Sequence, residues 1–207
     1  MSSAYFTNFP LVGYALHKTG QPGEFQWVTN IFLRSAPVAD LLKHNQIFYP
    51  YVIPEGYTPE VLADNYYGSV NYHWVITLLN NITDPVLDWP KGYSNLVRYI
   101  VNKYGSVASA SGSIHHYTMT EVKTDSLGNS NTATYIIDQT KYNTLTSPTP
   151  VVYTFRDGNT VTVTTSRSTV DNYTYEVALN EANRNIVLLQ AQYLPQILSE
   201  FETLMSK

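Results

Sequence analysis

From about Asp171 to the end of the chain, Ile186, Leu189, Tyr193, Ile197, Phe201 and Leu204 recur at spacings of three and four. Val187, Leu194, Leu198 and Met205 widen the same stripe, while Asn183, Gln190, Gln192, Gln196, Glu200 and Glu202 take the other side. That period predicts an amphipathic helix of about 30 residues, with Pro195 kinking or splitting it. Its apolar face exceeds what so small a body can cover, so Leu189, Ile197 and Phe201 are expected to dock on other subunits.

A second helical pattern lies earlier, in residues 47 to 90. "IFYPYVI" alternates as a strand does, and Pro50 limits it to an edge. Thr58 suits an N-cap, Pro59 the first helical position and Glu60 the positive end of the helix dipole. Val61, Leu62 and Tyr66 form an apolar stripe that Gly68 ends. Trp74, Val75, Leu78, Leu79 and Ile82 share a face of a second helix, which Asn80, Asn81 and "TDP" stop. The expected order is strand, helix, helix, turn.

Residues 110 to 165 read as β structure. "SIHHYTMTEVK" and "TATYIID" flank "TDSLGNSN", and "VVYTF" and "TVTVTTS" flank "RDGN", a two-residue hairpin signal at Asp157-Gly158. "TLTSPTP" between them is a linker by composition. Residues 1 to 46 predict an irregular arm, with a strand in "FQWVTNIFLRS" and two helical turns in "APVADLLKHN". The fold class expected is α+β: an N-terminal arm (1–46), a two-helix module (47–90), a hairpin-rich middle (91–170) and a C-terminal helix (171–207).

Composition sharpens this. A chain of 207 residues can bury roughly 70% of its unfolded surface. Only 14% of residues are charged and 18 are tyrosines, a balance that suits either a β-rich domain or a surface covered by partners. A net charge of −4 without a Lys/Arg cluster argues against nucleic acid. The opening residues do not read as a secretory signal, and no apolar run is long enough to cross a bilayer.

Zero cysteines exclude disulfides, thiol catalysis and zinc–thiolate sites. His115 and His116 are adjacent on an expected strand, where alternation sends them to opposite faces, so no metal site is expected. Glu55, Glu60, Asp64 and Asp84 read as structural carboxylates rather than a glycosidase pair. No nucleophile elbow or phosphate-binding glycine loop is present. Neither catalytic residues nor a cofactor are expected. In "YEVALNEANRN", Glu181 and Arg184 lie one turn apart, and Glu176, Asn180 and Arg184 line one side.

"YVIPEGYTPEVLADNYYGSVNYHWVITLLNNITDP" resembles a LysM module in its strand-helix-helix order, its Gly56 and Thr58 entry and its Ala63, Tyr66, Tyr67, Gly68 joint. Tyr57 stands where that module usually has Asp, and "VLDWPKGYSN" offers no clear closing strand. The resemblance implies, as an alternative function, binding of peptidoglycan or N-acetylglucosamine in a groove made by Gly56, Tyr57, Thr58, Asn80, Asn81 and Ile82.

Taken together and in order, "LADNYYGSVNYHWVITLLNNITDP", "IHHYTM" and "YTYEVALNEANRNIVLL" resemble the baseplate wedge protein 53 family of contractile-tailed bacteriophages. That resemblance implies a non-enzymatic structural subunit of the virion's tail baseplate, assembled in the host cytoplasm in six-fold arrangement. It would join adjacent wedges into the inner ring on which the sheath assembles. Implied partners are the wedge's core-bundle proteins, the lysozyme-like sheath-initiating subunit and the tail-tube initiator, with no nucleic acid and no membrane. The interface residues expected on this basis are Tyr175, Glu176, Asn180, Glu181, Arg184, Leu189, Ile197 and Phe201.

Overall fold

A computed structural model describes residues 5–16, 24–31, 46–145 and 149–205. The fold is mixed α+β, with small antiparallel sheets. In chain order the elements are β1 (Leu11–Leu16), β2 (Glu24–Thr29), β3 (Phe48–Val52), α1 (Pro59–Tyr67), α2 (His73–Leu79), α3 (Tyr93–Tyr104) and α4 (Val107–Gly112). There follow β4 (Ile114–Asp125), β5 (Ser130–Ile137), α5 (Gln139–Thr144), β6 (Thr149–Thr154), β7 (Thr160–Asp171), α6 (Asn172–Ala182), β8 (Asn185–Leu189) and α7 (Leu194–Met205). The segment "APVADLLKHN" lies outside the described residues. The chain forms two compact units, Met1–Tyr93 with Asn180–Lys207, and Ser94–Leu179, which do not coincide with the four segments expected above.

In the first unit the local signals act as the sequence suggests. The Thr58 side chain accepts from the Val61 N–H, Pro59 opens α1, and Gly68 closes it at φ 76°. Ser69 caps a short 3-10 turn before α2. Asn81, at φ 53°, turns the chain after α2, a left-handed position that Asn tolerates better than most residues.

The C-terminal segment departs from expectation. It is not one helix of 30 residues: α6 ends at Ala182, and "NIVLL" forms β8, antiparallel to β3 with Val187 opposite Pro50. The run Ile186–Leu189 is continuously apolar, which fits a buried strand as well as a helix face. Pairing with β3 decides between them. Pro195 neither kinks nor splits a helix, because it sits in the first turn of α7, where its missing N–H costs nothing.

Two apolar clusters fill this unit. Trp74, Val75, Leu79, Leu189, Leu194, Phe201 and Met205 pack with Phe9 and Phe48. Ile53, Leu62, Ala63, Ile76, Trp89, Ile186 and Leu188 form the other. Phe201 and Trp74 meet at 4.6 Å between ring centroids. So α7 lays its apolar stripe on α2 of its own unit.

The second unit has a smaller core. Leu96, Ile100 and Ala110 are buried, with Tyr99, Tyr104, Tyr173 and Val177 packed around them. Helix α3 falls in the region expected to be hairpin-rich but ahead of the stretch that reads as β structure; Leu96, Ile100 and Tyr104 stand in it at intervals of four before Gly105, whose φ is 85°. The sheet has the order β5-β4-β7-β6, all antiparallel, and Gly158 at φ 86° makes the expected β6–β7 turn. Just before the stretch read as a linker, α5 is capped by Asp138, whose carboxylate accepts from the Lys141 N–H.

Candidate assembly surfaces

The "YEVALNE" stretch and Arg184 form internal stitching. Glu176, only 3% exposed, accepts from Lys103 Nζ and Tyr104 Oη, each at 2.7 Å. That carboxylate holds the Lys103 ammonium well above its ordinary value. Asn180, 6% exposed, clasps the Lys91 backbone: its Oδ1 accepts from the N–H at 2.7 Å and its Nδ2 donates to the carbonyl at 3.0 Å. Two expected interface residues are therefore buried and bonded within their own units.

Arg184 sits at a junction. Its Nε donates to both Glu181 carboxylate oxygens at 2.9 and 3.0 Å, and one terminal nitrogen reaches the Ile53 carbonyl at 3.3 Å. Its other terminal nitrogen pairs with Glu55, whose Oε1 accepts from the Tyr93 N–H at 2.5 Å. That backbone donor first, and the guanidinium second, hold the Glu55 carboxyl below its ordinary range. Gly92 lies so close that an added Cβ would meet Glu55 Oε1 at 3.2 Å.

Leu189 is fully buried and Phe201 is 6% exposed, so in this chain the stripe expected to dock packs into the core. Ile197 packs, half-buried, against the same cluster. Tyr175 stacks on His115 at 3.7 Å between ring centroids. The separation expected of His115 and His116 also fails, because a register shift between Ile114 and His116 brings their Nδ1 atoms to 2.8 Å. Among the described residues no group of three metal-ligating side chains forms.

The residues of the expected sugar groove have internal duties. Asn80 bonds Val187 and Ile76, the Tyr57 carbonyl accepts from Trp89 Nε1 at 2.7 Å, and Thr58 caps α1. Gly56 and Asn81 supply left-handed turn positions. Ile82 lines an apolar groove of about 1070 Å³ with Phe6, Leu11, Trp74, Leu78 and Pro85.

The free apolar surface lies on other strands. Among the described residues β1 and β2 pair only with each other, and their exposed residues include Leu11, Val12, Tyr14, Trp27 and Val28. A two-stranded ribbon of this kind has no core of its own and is marginal alone in water. In the second unit, Tyr135, Ile136, Val151, Val152 and Tyr153 are exposed on β5 and β6. No helix among the described residues is long and apolar enough to cross a membrane. Contiguous exposed apolar patches mark interaction surfaces.

Comparison with known proteins matches this picture to a family. No curated protein matches the chain. The family model for base plate wedge protein 53 matches residues 6–204, nearly the whole length. A phage baseplate subunit is a structural component of the virion tail and assembles with other baseplate proteins, which accounts for uncovered apolar strands on a chain with few charges. The chain belongs to the base plate wedge protein 53 family.

Proposed function

We propose that this subunit joins adjacent baseplate wedges into the inner ring on which a contractile sheath assembles. The observation that carries the reading is the β1–β2 ribbon, with Trp27 72% and Leu11 62% exposed on an element that cannot stabilise itself. Burial of such side chains contributes about 25 cal/mol per Å² and, unlike exposed ion pairs, does not weaken with salt, as permanent assembly requires. The partners proposed are the core-bundle wedge proteins, the lysozyme-like sheath-initiating subunit and the tail-tube initiator, in a six-fold ring assembled in the host cytoplasm.

Co-expression with candidate wedge subunits, followed by sizing, tests the reading. Wild-type chain should co-purify in a complex larger than a single wedge. Copurification with none of them, together with retention on insoluble peptidoglycan, would overturn it in favour of sugar binding. Nothing in the groove residues favours that second reading, since their polar groups serve the fold.

A further inference from the structure

A pocket of about 270 Å³ opens beside α7 in the first unit. Leu189, fully buried, and the half-buried Ile47, Tyr193 and Ile197 give it an apolar interior. The exposed side chains of Gln46, Gln196 and Glu200 give it a polar rim.

Glu200 is the one formal charge among the lining residues. Its Oε1 accepts from Gln196 Nε2 at 2.9 Å, and among the described residues it has no cationic partner. The helix does not offset that charge: α7 contains no Lys or Arg, and the negative end of its dipole lies at Met205, five residues beyond Glu200.

Size and chemistry together select the occupant. Small-molecule sites run from about 300 to 1,000 Å³, so a pocket below that range suits one side chain. An aliphatic or aromatic side chain would match the interior but strip water from the Glu200 carboxylate without replacing it. An acidic one would be repelled. A long apolar stem ending in a cation satisfies both parts, with its methylenes on Ile47, Leu189 and Ile197 and its head at the wet rim. Arginine fits better than lysine, because a planar guanidinium both lies against an aromatic ring and forks to a carboxylate.

We propose that this pocket takes an arginine side chain presented by another baseplate subunit, with Glu200 as its counter-ion and Tyr193 as its aromatic wall. The inference rests on reading the chain as an assembly subunit and names one contact in that assembly. Ile197, expected from the sequence at an interface, meets the partner as the wall of a socket.

Two measurements on the full-length chain test this. In the first, N-acetyl-L-arginine methylamide is titrated while the isoleucine methyl signals are followed by NMR. Ile47 and Ile197 should shift, and the citrulline analogue, of similar shape without the charge, should need several-fold more ligand for the same change. Glu200→Gln should bring the two ligands level, with circular dichroism checking its fold. Equal responses to both ligands in wild type, or shifts confined to other isoleucines, overturn the proposal. Lys43 stands three residues before Gln46 in the sequence, so K43A is titrated as well. A stronger response in K43A would mean that the chain fills its own pocket, which also overturns it.

The second measurement is co-purification with wedge subunits. E200R should lower recovery about tenfold, while E202R, the same charge change outside the lining, should be recovered like wild type. Recovery unchanged by E200R, or equal losses in both variants, overturns the arginine contact and leaves the assembly role intact. Wild-type chain captured by no subunit overturns both.

Discussion

The side chain of Asn80 grips Val187 from both sides, its Nδ2 donating to the carbonyl and its Oδ1 accepting from the N–H, each at 2.8 Å. The amide mimics a peptide group laid along the edge of β8. Pro50 explains why that edge is available. Opposed residues in an antiparallel pair alternate between bonded and non-bonded positions, and a residue without an N–H belongs in the second kind. Val187, opposite Pro50, therefore turns its backbone groups away from β3 and toward Asn80.

Asn80→Ala should cost about 2 kcal/mol, because it strands a half-buried donor and acceptor as well as deleting three hydrogen bonds. Urea unfolding of the two proteins measures it. A loss within error of zero would mean that water replaces the amide freely.

Leu189→Asp should destabilise the first unit by about 3–5 kcal/mol, since it places an unpaired charge in a sealed apolar cluster. Leu204→Asp, at a position 57% exposed on α7, should stay within about 0.5 kcal/mol of wild type. Equal effects in thermal melts would contradict the placement of the α7 stripe.

The Glu176 pair predicts an asymmetry. Glu176→Gln keeps a hydrogen-bonding group and should cost about 1 kcal/mol. Lys103→Met leaves a carboxylate that is 3% exposed without its cation, and should cost about 3 kcal/mol. Denaturant midpoints in the opposite order would show that the ammonium matters less than the carboxylate's own bonds.

Glu55 predicts a pH dependence. Its folded carboxyl is depressed below the ordinary 4.5, so the unfolded chain takes up a proton first as pH falls. The stabilisation is complete above about 4.5, and is lost as pH drops through the lower folded value. The gap in urea midpoint between wild type and Glu55→Gln should be widest near neutrality and close in acid. A gap that stays constant down to strongly acidic pH would separate Glu55 from this linkage.

Trp27→Ser on the β1–β2 ribbon should leave stability within about 0.5 kcal/mol of wild type, because the ring meets solvent. Co-purification with wedge subunits should nevertheless fall. Unchanged recovery would remove the ribbon from the assembly surface.

Local signals were the most legible part of this sequence. Thr58, Pro59 and Gly68 bound α1, and Asp157-Gly158 makes its hairpin, because each works through its own backbone within a few residues. Contacts remote in sequence were not legible. "NIVLL" satisfies a helical stripe and a buried strand equally, and only β3, far upstream, settles which forms. The same limit applied to the site. Glu176, Asn180 and Arg184 stood out as a polar stripe, yet polar residues at helical spacing look alike whether they face a partner or a buried backbone group.

The pairing of β3 with β8 has a consequence for synthesis. A ribosome releases Phe48–Val52 early and Asn185–Leu189 near the end, with the whole of Ser94–Leu179 in between. The first unit must wait, with Leu62, Val75 and Ile76 unsealed, until translation is nearly done, whereas the inserted unit has its complete sequence sooner. Prematurely terminated copies would therefore lack β8 and α7 and reach the phage assembly line visibly unfinished, open to proteolysis before they could poison a baseplate.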